Sequence, residues 1–255
     1  MPVVGRLYAR GLAARKRLVE FIEQRIPARR NGNGDDLFSQ LCRAEDEHGS
    51  RYSDGEIVDH LIFLMMAAHD TTTSALTTIA FALAKYPDWQ DRLRRDVRAL
   101  GKPSLSYADL EQLQASDWVL REALRLYPPL STMSRRATAD FEIHGHRIPA
   151  NTPVSIFPIF TQRQPQWWSE PDAFDPERFS PARAEHKRHP FAWAPFGGGA
   201  HMCLGLHFAE MQVKAVLQPL LSGFRLTVPK GYEMPYQLAP LARPRDGLPI
   251  MLEPL

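Results

Sequence analysis

The chain has 255 residues, enough for one large domain or two small ones. With 44% hydrophobic and 24% charged residues it has the composition of a globular protein that can bury a core, which excludes disorder along its whole length. Its net charge of +2 provides no global field for nucleic acid or anionic lipid, and two cysteines, Cys42 and Cys203, make no disulfide scaffold.

No apolar run exceeds Leu61–Ala68, far short of the ~20 residues of a membrane span. The first residues, MPVVGRLYARGLAARKR, contain no signal-peptide core. Residues 3–29 place Val4, Leu7, Leu12, Leu18, Phe21 and Ile22 at helical spacing, opposite a basic side. That side reads either as a solvated face or as a docking surface for an acidic partner. The turn signal Asn31-Gly32-Asn33-Gly34 ends this helix, and a short one follows from Asp35 to His48. Ser53 and Glu56 form a capping box that opens a long helix running to about Lys85. Pro87 starts another, ending at Gly101, and a third runs from about Leu110 to Tyr127, where Pro128 and Pro129 stop it.

The 22 prolines, about 9% against a usual ~5%, gather after residue 127, so the second half should be rich in loops. Phe141, Ile143, Ile148, Val154 and Ile156 are strand positions within 137–157. From 158 to 199 the chain shows little periodicity. A last amphipathic helix is expected over 204–221, with small strands at 224–228 and 248–252. There is no internal repeat and no flexible interdomain linker, so residues 1–255 read as a single domain, mainly α with a small β portion.

The central helix carries unexpected residues. Its flanks, over 61–84, are apolar almost all round and predict burial, yet Asp70, Thr71, Thr72, Thr73 and Ser74 occupy its middle. A buried carboxylate beside hydroxyls is costly unless hydrogen-bonded, and threonine hydroxyls can bond back along the helix and bend it. Small Ala67 and Ala68 precede them and leave room for a flat group. The acid and alcohol resemble a proton relay; a polar helix–helix contact is the alternative reading.

Residues 196–210, FGGGAHMCLGLHFAE, place Cys203 after three glycines at the start of a helix. Glycines can turn in ways closed to other residues, and free N–H groups at a helix start favour a thiolate. Gly205 leaves one side of that start bare. Such a thiolate suits axial ligation of haem iron. A phosphate loop would need Gly-Lys-Ser/Thr, where this chain has Ala200-His201-Met202, and covalent c-type haem would need Cys-x-x-Cys-His. His201, Cys203 and His207 lack the spacing of a zinc knuckle. A nucleophilic cysteine with a histidine base stays open, without a third member in sight.

The run Phe196-x-x-Gly199-x-His201-x-Cys203-x-Gly205 resembles the haem-binding signature of the cytochrome P-450 superfamily. Three more matches follow the family's order. Ala67-Ala68-His69-Asp70-Thr71-Thr72 resembles its oxygen-activation motif, Glu122-Ala123-Leu124-Arg125 its Glu-x-x-Arg, and Phe174-Asp175-Pro176-Glu177-Arg178-Phe179 its meander motif. The resemblance implies a haem-thiolate monooxygenase holding haem b (iron protoporphyrin IX), and it covers the chain from the first helix onward.

By that resemblance Cys203 is the axial iron ligand and Phe196 packs near the sulfur. Ala67, Gly197 and Gly205 line the cofactor, and His201 and Arg135 reach its propionates. Asp70 and Thr71 deliver protons during dioxygen activation. Glu122, Arg125 and Arg178 form a buried support, and Leu130, Thr132 and Met133 face the substrate. The implied partners are a small organic substrate, O2 and an electron donor, either a ferredoxin or a flavoprotein reductase; Lys187, Arg188 and Lys214 suggest a basic face for an acidic ferredoxin.

Two departures stand out. Ala68 replaces a usual glycine, adding one tolerable methyl. Family members are also longer, so the chain should match the C-terminal portion, without early helices and much of the substrate surface. That loss should expose apolar surface on the central helix, and the alternative to an active enzyme is a truncated, non-catalytic fragment. Members that rearrange substrates or use peroxide often alter the acid–alcohol pair, which Asp70-Thr71 retains. A thiolate and the lack of an export signal point to the cytoplasm.

Overall fold

The computed structural model describes residues 3–255. Backbone contacts gather into two compact units, one extending to His69 and the other from Asp70 to Leu255, so the boundary falls inside the central helix.

In the first unit α1 spans Val3–Glu23, α2 Ile26–Asn31 and α3 Leu37–Arg43, followed by the start of α4, Asp54–Lys85. The single helix expected over 3–29 is thus two. Pro27 has no N–H to continue the ladder, and the chain kinks at Gln24–Arg25 before α2 begins. Gly34 permits a close approach: a Cβ there would lie 2.6 Å from Ser39 Oγ. α3 is also shorter than the expected 35–48. Asp36 caps its start by accepting from Ser39 N–H at 3.1 Å, and beyond Arg43 the Asp46 carboxylate accepts from the N–H groups of His48 and Ser50, both at 2.8 Å, forming a tight turn. The core of this unit joins Ile22, Ile26, Cys42, Ile57 and Val58.

α4 begins on the anticipated capping box, with Ser53 N–H donating to Glu56 Oε2 at 2.8 Å and Glu56 N–H to Ser53 Oγ at 3.3 Å. It is α-helical without a break through residues 70–74. The expected burial holds only from Ser74 onward. Before that, the small core of the first unit takes up one face, and Phe63, Met65 and Met66 stand 56%, 57% and 65% exposed, the apolar exposure anticipated for this helix.

The second unit adds α5 (Pro87–Ala99), α6 (Tyr107–Glu111), α7 (Gln114–Leu126), α8 (Pro158–Thr161) and α9 (Leu206–Gly223). The helix expected from Leu110 starts at Gln114, because Ser106 and Asp109 form a capping box of their own that closes a separate turn, α6. Ile79, Ala82 and Leu83 of α4, Leu93 of α5, Val119, Leu120 and Ala123 of α7, and Val213, Leu217 and Leu221 of α9 bury one another in the main core.

Among the described residues, the strands form four antiparallel pairs. β1 (Met133–Arg136) pairs with β4 (Pro153–Ile156), β2 (Phe141–Ile143) with β3 (His146–Ile148), β5 (Phe224–Thr227) with β8 (Met251–Pro254), and β6 (Tyr236–Gln237) with β7 (Arg243–Pro244). Strand β1 precedes the region in which strands were expected. Between α8 and α9 run short 3-10 turns, at Pro176–Phe179, Glu185–Lys187 and Gly199–His201, with Trp168, Phe179 and Ala192 buried beneath them.

Candidate functional site

The chain from Phe196 to Leu206 forms a tight loop. Gly197 and Gly199 adopt φ of +73° and +68°, where a side chain would strain the backbone. A Cβ on Gly198 would lie 3.0 Å from the Phe191 ring. After the turn at Gly199–His201, Cys203 N–H donates to Phe196 O at 2.9 Å and fixes the backbone at the cysteine. α9 starts at Leu206, two residues later than expected, with Gly205 at its cap and no side-chain capping bond. Cys203 therefore stands just ahead of the helix, its thiol exposed.

Around that thiol the surface is apolar: Leu204 is 93% exposed, and Met202 and Phe208 are exposed too. A Cβ added to Gly205 would come 3.8 Å from the Cys203 sulfur, so glycine leaves that flank bare. Phe196 packs against the main core and meets Trp193 edge-on, with ring centroids 5.9 Å apart. A cavity of about 260 Å³ lies alongside, lined among others by Phe191, Trp193, Phe196 and Met202.

Strand β1 borders the same loop, since a Cβ on Gly197 would lie 3.7 Å from Met133 Sδ. Arg135 is two residues further along and so points to the same side of the strand; both Arg135 and His201 are exposed. Met133 is half-buried, and Leu130 and Thr132 are exposed. Their segment is fixed from the C-terminal side: Ser131 Oγ donates to Leu238 O at 3.0 Å, and Ala242 N–H donates to Pro129 O at 3.1 Å. The same Ala242 receives a 2.6 Å bond on its carbonyl from buried Ser74 Oγ. Ser74 thus makes a structural polar contact, while Asp70, exposed, and Thr71, half-buried, occupy the preceding turn of α4. Ala67, half-buried, falls in the first unit.

Glu122, Arg125 and Arg178 do come together, 0%, 0% and 1% exposed. Spacing of three residues on α7 lets Arg125 grip Glu122 with two bonds, at 2.7 and 2.8 Å. Arg178 Nε reaches Glu122 Oε1 at 3.2 Å, and Asp175 N–H donates to the same oxygen at 2.9 Å. The guanidinium of Arg125 also donates to the carbonyls of Gln162, Pro171 and Ala173, and that of Arg178 to those of Ser169, Glu170 and Ala173. Every buried donor is engaged, as a buried charge cluster requires.

Glu185 completes this cluster, 3.4 Å from Arg178, and escaped the sequence reading because nothing in its neighbourhood distinguishes it from a surface acid. Burial works against its charge, but hydrogen bonds from Arg183 and from Ser169 N–H, with the Arg178 charge, hold its carboxyl below the usual range. Lys214 corrects another expectation. It is 8% exposed and bonded to Asp117 at 2.8 Å, so it offers no charge to a docking partner, whereas Lys187 and Arg188 remain exposed. Burial pushes the Asp117 carboxyl up in spite of Lys214.

The residues around Cys203 fit an iron porphyrin. Such a group needs a thiol within reach, a flat apolar bed and donors for its carboxylates. Exposed Cys203, the bare flank at Gly205, exposed Met202, Leu204 and Phe208, and exposed Arg135 and His201 meet each requirement. Among the described residues, no group of three or more His, Cys, Asp or Glu side chains could hold a bare metal ion. No helix of the described residues is long and apolar enough to cross a membrane.

The family model for cytochrome P450 matches residues 6–249, and the chain belongs to that family. Over 246 residues it is 43% identical to a Mycobacterium tuberculosis protein carrying the designation cytochrome P450 136, covering 96% of this chain and 50% of that protein. It is 30% identical over 251 residues to the beta-amyrin 6-beta-monooxygenase of Solanum lycopersicum, covering 96% of this chain and 52% of the relative. Among solved structures, the retinoic acid bound cyanobacterial CYP120A1 superposes with a TM-score of 0.90 at 32% identity, over all of this chain and 59% of that one. The chain thus spans between half and three-fifths of these relatives, and its mainly helical architecture is a partial cytochrome P450 fold.

Proposed function

We propose that the intact protein is a haem-thiolate monooxygenase that inserts one atom of O2 into a small organic substrate. The observation that carries this reading is the exposed Cys203 thiol, held by its backbone bond to Phe196 O between two left-handed glycines and a bare, apolar helix start. Bound there, haem b supplies the activation of O2, with electrons from a ferredoxin or a flavoprotein reductase. Cys203 binds the iron as a thiolate and donates electron density to it. Phe196 packs behind the sulfur, Arg135 and His201 bind the propionates, and Ala67, Gly197 and Gly205 leave room for the ring. Asp70 and Thr71 hold and pass protons from α4. Glu122, Arg125 and Arg178 keep the meander in place beneath the loop, and Leu130, Thr132 and Met133 border the substrate. Residues 1–255 act as one partial domain in this reading, and a thiolate that must stay reduced suits the cytoplasm.

A second reading has a specific observation behind it. Phe63, Met65 and Met66 expose apolar surface on α4, and the chain has about half the length of its relatives, so these residues alone form a non-catalytic fragment that retains haem weakly. Titration of the purified chain with haemin, followed by Soret absorbance and tryptophan quenching, separates the two. Stoichiometric uptake that Cys203→Ala weakens supports the first reading. Weak uptake, or uptake indifferent to Cys203, supports the second.

A further inference from the structure

We infer that Gln162 is a positioning residue that couples the end of α7 to the cysteine loop. It is 0% exposed, and both polar atoms of its side chain are engaged. Nε2 donates to the carbonyls of Leu124 and Arg125, at 3.1 and 3.2 Å, and Oε1 accepts from Ala194 N–H at 2.9 Å. Its own carbonyl accepts from Arg125 Nη1 at 3.1 Å, so one residue is tied in both directions to the buried Glu122–Arg125–Arg178 cluster.

From Ala194 the connection proceeds through backbone alone. Gly197 N–H donates to Ala194 O at 3.1 Å, and Cys203 N–H donates to Phe196 O at 2.9 Å. The neighbouring Trp193 adds a parallel tie, its Nε1–H donating to Arg121 O at 3.0 Å. The last turn of a helix leaves its carbonyls without partners, and the Gln162 amide fills two of them while its oxygen takes a loop N–H. A primary amide is the group that does this, because it presents donors at one corner and an acceptor at the other. Methionine at 162 would fill the same space and leave three backbone groups unpaired. The backbone leading to Cys203 is thereby tied to α7 through Gln162, in addition to being shaped by the loop's own glycines. The consequence for catalysis rests on Cys203 being the iron ligand; the coupling itself does not.

Amide hydrogen exchange on the full chain without haem tests the coupling, with a matched control. Gln90 is equally buried, and its Oε1 accepts from Leu226 N–H at 2.9 Å, remote in sequence from the loop. Gln162→Met is expected to speed exchange at Ala194, Gly197 and Cys203 at least tenfold and leave Leu226 unchanged; Gln90→Met is expected to do the reverse. Equal effects from the two variants, or no effect of Gln162→Met on the loop, overturn the inference. If neither variant folds, exchange of the unsubstituted chain in low denaturant decides: Ala194 and Tyr127, whose N–H bonds Ala123 O at 2.7 Å, must open together, and independent opening overturns it. In the haem-loaded chain Gln162→Met should raise the fraction of neutral-ligated carbon monoxide complex. If the unsubstituted chain shows no thiolate band, assembly of the haem site by these 255 residues fails while the exchange result still stands.

Discussion

Replacing Arg178 by methionine probes the buried cluster of Glu122, Arg125 and Arg178. The side chain is 1% exposed and donates to Glu122, to Glu185 and to the carbonyls of Ser169, Glu170 and Ala173. Methionine fills most of the volume, so the cavity cost is small and the loss is electrostatic. Glu122 keeps Arg125, and Glu185 keeps Arg183, but both lose a cation while buried, and three carbonyls lose a donor. Breaking a buried ion pair from one side costs about 3–5 kcal/mol. In a unit of this size each kcal/mol moves the melting midpoint by about 2–4 °C, so a fall of roughly 6–20 °C is expected. Thermal unfolding followed by tryptophan fluorescence reads this directly, since Trp168 packs against Phe179 with ring centroids 5.6 Å apart. Arg147→Met supplies the comparison. Arg147 pairs with Asp140 at the surface, at 78% and 48% side-chain exposure, and its loss should cost less than ~1 kcal/mol. Similar small losses for the two variants would refute the idea that the Glu122 cluster holds this region together. Arg178→Lys should not rescue stability, because an ammonium cannot span the five acceptors that the guanidinium serves.

Three more outcomes are expected. Ser74→Ala removes the buried 2.6 Å bond to Ala242 O and leaves that carbonyl unpaired, which should cost about 1–3 kcal/mol in urea unfolding; no measurable loss would contradict the anchoring of α4 to this loop. The Asp109 carboxyl is held down to about 2 by hydrogen bonds from Lys102 and Ser106, against ~3.9 in the unfolded chain, so its stabilising contribution is present above ~pH 4 and is lost as pH falls through 2. The stability gap between the wild type and Asp109→Asn should therefore close between pH 5 and pH 2, and a gap independent of pH would be evidence against that charge. Gly205→Leu places a side chain where a Cβ already stands 3.8 Å from Sγ, so alkylation of Cys203 should slow severalfold with the fold intact by circular dichroism; an unchanged rate would mean that the flank is not part of the approach to the thiol.

The elements legible in the sequence were those whose cause is local. Ser53 and Glu56 announce α4 because the two halves of a capping box sit three residues apart, and Glu122 and Arg125 meet because one helical turn brings them together. Glycines around Cys203 mark a turn that other residues cannot make. What could not be read depends on partners distant in the chain. Whether Lys214 is a surface charge or half of a buried pair is decided by Asp117, and the assignment of Gln162 needs α7 and Ala194 beside it. The exposure of α4 before Ser74 likewise follows from how few helices pack there, which apolarity alone does not reveal. Strand β1 was hidden because its residues, Met133–Arg136, lack apolar alternation and owe their extended form to pairing with β4.

The most direct measurement is the absorption spectrum of the chain expressed with ample haem, reduced and exposed to carbon monoxide. A strongly red-shifted Soret band, lost in Cys203→Ala, is the expected result and would identify Cys203 as a thiolate ligand of haem iron. No bound haem, or a band at the position of neutral ligation in the unsubstituted chain, would contradict the assembly of that site by these 255 residues.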